Sequence, residues 1–120
     1  MRTTILVVDD AAFMRMMLRD ILESEGYEVH EAESASRAVE VYEQVSPDLV
    51  TMDITMPEVS GVEAVKAIRE IDPSARVLMV SAMGQESMIA EALEAGAMEF
   101  VVKPFQPAKV LELVKKCLSA

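Results

Sequence analysis

Five short runs of β-branched and other apolar residues recur along the chain: TILVV (4–8), YEVHEA (27–32), DLVTM (48–52), RVLMV (76–80) and EFVVK (99–103). Between them lie amphipathic helical patterns of about three turns each. Over 11–25, a step of about 100° per residue puts Met14, Met17, Leu18, Ile21 and Leu22 on one face and Arg15, Arg19 and Glu23 on the other. Met16 points away from that packed face, which makes it a candidate partner contact. Ser34 and Ser36 are candidate caps for a second helix carrying Ala38, Val39 and Tyr42 inward. Ser60 or Gly61 opens a third with Val62, Val65, Ala67 and Ile68. Residues 85–95 read as a fourth, stopped by Gly96 as C-cap. Pro107 suits the first turn of a fifth, whose apolar face is Val110, Leu111, Val114, Cys117 and Leu118. Strict alternation of strand and helix over five units dictates a parallel sheet covered on both faces, an α/β doubly wound fold. ILVV and VLMV, continuously apolar, suit strands buried on both sides. With 120 residues and no linker or repeat, residues 1–120 are expected to form one domain.

Composition narrows the function classes. The formal charge of −10 argues against nucleic acid as a direct partner, since phosphate binding needs clustered Lys and Arg. No apolar run approaches the ~20 residues that span a bilayer, and the N-terminus reads as a first strand and not as a signal peptide. The single Cys117 and single His30 stand far apart in sequence. An internal disulfide is impossible and a zinc site is disfavoured. A monomer in the cytoplasm, with no membrane contact, is the expectation.

What stands at the strand ends is chemically loaded. Strand 1 ends on Asp9 and Asp10, strand 3 on Asp53, strand 4 on Ser81, and strand 5 on Lys103 before Pro104. In open α/β sheets ligands bind outside the carboxyl ends of the strands. If strands 1 and 3 are neighbours, three carboxylates share one crevice. Two such charges ~4 Å apart repel by about 4 kcal/mol at an effective dielectric of about 20, so the cluster needs a cation. Oxygen-only ligands select a hard ion, and Mg²⁺ keeping part of its water shell fits best. A carboxylate, a hydroxyl, an amine and Mg²⁺ are the parts of a phosphoryl-transfer site, with Asp53 as a nucleophile forming an acyl phosphate. Taken singly, each residue has a plainer use. Asp10 could cap helix 1, Asp53 could start a turn, and Ser81 could cap helix 4. Lys103 could be a solvated strand end and Pro104 a strand terminator. Taken together, all of them fall at strand carboxyl ends.

Rival phosphate chemistries lack their signatures. Gly26, Gly61, Gly84 and Gly96 cannot be arranged as G-x-G-x-x-G or G-x-x-x-x-G-K-[ST]. The haloacid-dehalogenase-like phosphatases place a second Asp two residues beyond their nucleophile, where this chain has Thr55. The stretches VVDDAAFMR, TMDITMPEVSG, SAMG, EAGA and VVKPF, in that order and spacing, resemble the receiver domain of two-component response regulators along essentially the whole chain. Within that family the chain is most similar to the stand-alone chemotaxis regulators.

The resemblance implies a flavodoxin-like (βα)5 fold with strand order 2-1-3-4-5. It implies Asp53 as the phosphorylated residue, and Mg²⁺ held by Asp10, Asp53 and the backbone carbonyl of Thr55, with Asp9 acting through water. Ser81 and Lys103 would contact the phosphoryl group, the Lys103–Pro104 peptide would be cis, and Ser81 and Phe100 would be the switch pair. Phe100 is Phe and not Tyr, so no ring hydroxyl can report the state. Ser34-Ala35 replaces the Asn-Gly turn from which many relatives start helix 2. In the family the water path is flanked by positions matching Thr55 and Met83. Neither is an acid or amide, so slow self-hydrolysis is expected.

The implied function is a signalling switch and not a conventional enzyme. A histidine kinase of chemotaxis type supplies the phosphoryl group, and the chain catalyses its own transfer and dephosphorylation. It then binds an output partner, such as a flagellar motor-switch protein, through the face of helix 4, strand 5 and helix 5, with a phosphatase as a further partner. A chain stopping at Ala120, directly after helix 5, suggests a stand-alone regulator. The alternatives are a phosphorelay intermediate and the excised receiver of a DNA-binding regulator.

Overall fold

The computed structural model describes residues 2–120; Met1, first residue of the expected 1–120 domain, lies outside the described residues. Five strands, β1 (Thr4–Val8), β2 (Glu28–Ala32), β3 (Leu49–Asp53), β4 (Val77–Ser81) and β5 (Glu99–Val102), alternate with five helices. These are α1 (Ala12–Glu23), α2 (Ala35–Val45), α3 (Gly61–Ile71), α4 (Glu86–Ala95) and α5 (Pro107–Ser119). All strand pairs are parallel, in the order β2-β1-β3-β4-β5.

The pleat sends alternate residues to opposite faces, and two cores result. Ile5, Val7 and Leu49 meet Leu18 and Leu22 of α1 and Val110, Leu113, Val114 and Cys117 of α5. Leu6, Val8, Val50 and Met52 meet α2, α3 and α4 through Ala38, Val41, Val65, Ile68, Ile89 and Ala92. β3 and β4 are buried at every position, as central strands of a doubly covered sheet must be.

Local chemistry sets most helix boundaries. The Ser34 hydroxyl caps α2 by accepting from Arg37 N–H, and the Ser60 hydroxyl caps α3 by accepting from Glu63 N–H. Gly96 ends α4 at φ 119°, a left-handed conformation costly for other residues. Asp10 does not cap α1. The capping position is Ala11, whose N–H is taken at 2.9 Å by Asp9 Oδ1 from two residues before.

Candidate functional site

Because β1 lies directly beside β3, their carboxyl ends bring Asp9, Asp10 and Asp53 together. Oxygens of the three carboxylates lie within 4.8 Å of one another. Asp9 is 1 % and Asp53 5 % exposed, whereas Asp10 faces solvent. The Asp9 turn is pinned by Arg15, whose Nη1 donates to the Asp9 carbonyl at 2.7 Å while its Nε donates to Glu31 of β2 at 2.9 Å.

Lys103, just past β5, reaches into the same crevice. Its Nζ lies 3.2 Å from Asp53 Oδ1 and 3.4 Å from Asp9 Oδ2. The Lys103–Pro104 peptide is cis. At the end of the neighbouring strand β4, Ser81 is fully buried, and among the described residues its hydroxyl has no hydrogen-bond partner. Its carbonyl holds the Lys103 N–H at 2.7 Å, which ties the lysine's backbone to β4. Buried hydroxyls are nearly always paired; that of Thr51, inside β3, is orphaned among the described residues as well, and Ser81 differs in standing at a strand end, where its hydroxyl can donate to an incoming oxygen.

The backbone under Asp53 is packed from behind by Gly61. A Cβ at Gly61 would stand 2.1 Å from the Asp53 carbonyl oxygen and 2.8 Å from Ile54 Cα. The close approach lets Gly61 N–H donate to the Ile54 carbonyl at 2.7 Å, which fixes the entry to α3.

The electrostatics are those of an uncompensated anionic cluster. Burial, and then the charge of Asp9, push the Asp53 carboxyl up to about 6, against the partial opposition of Lys103. Burial pulls the Lys103 ammonium down, but Asp53 and Asp9 together outweigh it and hold it above its ordinary value. The two shifts are compatible, since the lysine has two anions and some solvent while Asp53 has two like charges and little solvent. The donor set is all oxygen, with one carboxylate open to water, and suits a hard, partly hydrated divalent cation. The single histidine and the single cysteine are elsewhere: His30 pairs with Glu28 on the edge strand β2 and Cys117 is buried on the inner side of α5.

Asp9, Asp10, Asp53 and Lys103 thus converge at the carboxyl end of the sheet, with Ser81 at the end of the neighbouring strand β4. Thr55 lies exposed on the loop that follows. Phe100 is not in the crevice. It sits half-buried on β5, packed against the core under α4, and lines a groove of about 520 Å³ with Ala82, Ile89, Ala90 and Leu93. Sequence reasoning missed Gln85. Its side chain bonds Thr55 Oγ1 through Nε2 and accepts from the Ala82 N–H through Oε1 at 2.7 Å, and so joins the loops after β3 and β4. A Gln before a helix carries no motif that would have flagged it.

Residues 5–115 match the family model of the response regulator receiver domain. The chain is 60 % identical over 116 residues to the chemotaxis protein CheY of Bacillus subtilis, covering 96 % of this chain and 97 % of that one. It is 57 % identical to chemotaxis protein CheY of Thermotoga maritima, covering 93 % and 94 % of the two chains. Among solved structures it is similar to the CheX–CheY–BeF3–Mg²⁺ complex of Borrelia burgdorferi, with a TM-score of 0.90, 39 % identity, and coverage of 95 % of this chain and 87 % of that chain. The alternating strands, the strand-end acidic crevice and these likenesses converge: the chain belongs to the response regulator receiver domain family, the phospho-acceptor signalling switches of two-component systems, and is of the CheY type.

Proposed function

We propose that residues 1–120 form one receiver that takes a phosphoryl group on Asp53 from the phosphohistidine of a chemotaxis-type kinase, and then binds an output protein in the cytoplasm as a monomer. The observation that carries this is the crevice itself. A carboxylate 5 % exposed stands among two like charges, with an ammonium 3.2 Å away and an orphan hydroxyl at the next strand end. In the transfer, an Asp53 carboxylate oxygen attacks phosphorus, the N–P bond of the phosphohistidine breaks, and the imidazole leaves with the electron pair. Lys103 neutralises one phosphoryl oxygen and the Ser81 hydroxyl gains the acceptor it lacks. Asp10, Asp53 and the Thr55 carbonyl would hold Mg²⁺ with Asp9 behind them, and bound Mg²⁺ would supply positive charge to the carboxylates and a phosphoryl oxygen.

Output follows from Ser81. As its hydroxyl turns to the new oxygens, it vacates space into which Phe100 turns, and the surface of α4, β5 and α5 changes shape. The resting protein samples this state and phosphorylation raises its population. The groove beside Phe100 suits the apolar side of an acidic amphipathic segment such as one from a motor-switch protein. Lys109, Lys115 and Lys116 on α5 lie in exposed pairs with Glu112, Glu25 and Glu99, weak enough to be exchanged for a partner's acids. Two of the relatives are chemotaxis proteins by name. The Borrelia structure, a CheX–CheY–BeF3–Mg²⁺ complex, supports the metal and a further protein partner, for which we propose a phosphatase.

Incubation with acetyl phosphate and Mg²⁺, followed by peptide mapping, tests the acceptor. One phosphoryl group on Asp53, absent from Asp53→Asn, is the expected result. Label on another residue overturns the assignment.

A further inference from the structure

The loops that follow Asp53 and Ser81 carry exposed Thr55, Ala82 and Met83, so solvent approaches Asp53 between them. Gln85 spans this mouth. Its backbone begins α4, with its carbonyl accepting the Ile89 N–H at 2.9 Å, but its side chain does not cap the helix. The carboxamide instead donates to Thr55 Oγ1 and accepts from Ala82 N–H. Both polar ends of the group are committed, one to each loop. A carboxamide so engaged holds the loops together, with one N–H and one oxygen lone pair left over for solvent.

We propose that Gln85 is a bracket that keeps the mouth over Asp53 closed and thereby prolongs the life of the phosphoryl group. This is a positioning role, and it rests on Asp53 being the acceptor. In the reaction it restrains, water attacks phosphorus, the P–O bond to Asp53 breaks, and the electron pair returns to the Asp53 carboxylate. Inorganic phosphate and a proton leave. Gln85 touches none of these atoms. It sets how often the loops part to admit the water.

Each hydrogen bond of the bracket resists opening only modestly, because both groups can bond water once open. Loss of the pair should therefore raise the open population, and the rate of phosphate loss, by about three- to tenfold. Gln85→Ala leaves the acidic cluster, its lysine and the Thr55 backbone untouched, so the Mg²⁺ affinity and melting temperature of that variant should barely move.

The test compares wild type, Gln85→Ala, Thr55→Val, the double variant and Thr55→Ser. Each is labelled with acetyl phosphate and Mg²⁺ and followed by phosphate release after the donor is removed. Gln85→Ala and Thr55→Val should both shorten the lifetime. The double variant should be no faster than the faster single, because both break one link, and Thr55→Ser, which keeps the hydroxyl, should lie closer to wild type than Thr55→Val does. The Ala82 amide should exchange with solvent faster in Gln85→Ala. Equal or longer lifetimes in Gln85→Ala, or effects that multiply in the double variant, overturn the bracket while leaving Asp53 as acceptor. Label away from Asp53 in the wild-type chain overturns the acceptor reading and the bracket with it.

Discussion

Asp53→Asn should make the protein more stable. In the folded chain the Asp53 carboxyl rises from 3.8 to about 6, first through burial and then through the charge of Asp9. An acid whose folded value is raised binds a proton more tightly folded than unfolded. The contribution of Asp53 to folding stability is then greatest at acid pH, falls as pH rises through roughly 4 to 6, and stays lowered above that window. At about 1.36 kcal/mol per pH unit, the rise corresponds to a penalty of about 3 kcal/mol at neutral pH. Asparagine keeps the shape and removes the charge. Lys103 loses one anion but keeps Asp9 at 3.4 Å, so a net gain of about 1–3 kcal/mol is expected. The chain has no tryptophan, so far-UV circular dichroism in a urea series is the assay, with chelator present. At pH 7.5 the midpoint of the variant should lie higher by on the order of 1 M urea. The gap should narrow at pH 4.5, where wild-type Asp53 is protonated, and also in millimolar Mg²⁺. An Asn variant no more stable than wild type at pH 7.5, or a gain that persists in acid, would refute the electrostatic account.

Mg²⁺ should raise the wild-type melting temperature by mass action, and Asp10→Ala should abolish most of that rise; a melting curve indifferent to the ion counts against the site. Gly61→Ala puts a methyl 2.1 Å from the Asp53 carbonyl oxygen, so the backbone must shift. A loss of about 1–3 kcal/mol together with slower phosphorylation by acetyl phosphate is expected, and wild-type behaviour in both would show that α3 gives way freely. Beryllofluoride, a mimic of the phosphoryl group, should move amide NMR signals across residues 85–118; changes confined to the loops around Asp53 would remove the coupling to Phe100.

The fold was legible because alternating periodicities leave few arrangements, and Ser34, Ser60, Gly96 and Pro107 punctuate the helices as their chemistry requires. The acidic crevice was legible for a related reason: Asp9, Asp10, Asp53 and Lys103 each have a plainer use alone, and their joint placement at strand carboxyl ends is what points to a site. Less legible were features set by tertiary approach. On α5 the wheel favoured Leu111 and Leu118, whereas Leu113 is the more deeply buried; an apolar stripe is wide, and periodicity does not say which edge meets the sheet. Phe13, 64 % exposed beside the expected Met16 at 53 %, went unnoticed because its position on the wheel falls at the margin of the packed face. Gln85 was invisible because its role exists only once two loops distant in sequence, at Thr55 and Ala82, are neighbours. The plainer use open to Asp10, a cap on α1, is not the one it takes, since the turn closes through Asp9.

The contact between Lys103 and Asp9 joins residues 94 apart in the chain, and its consequence is kinetic. The three acids come from the first half of the sequence, but their counter-charge arrives only when β5, the last strand, docks on β4. Closing so long a loop is slow compared with forming a local helix turn. During synthesis the amino-terminal half can gather its carboxylates before any lysine is present to relieve them. A chain stalled at that stage carries the carboxylates without the ammonium that pairs with Asp9 and Asp53. The crevice therefore acquires its only observed ion pairs, among the described residues, in the same step that completes the sheet.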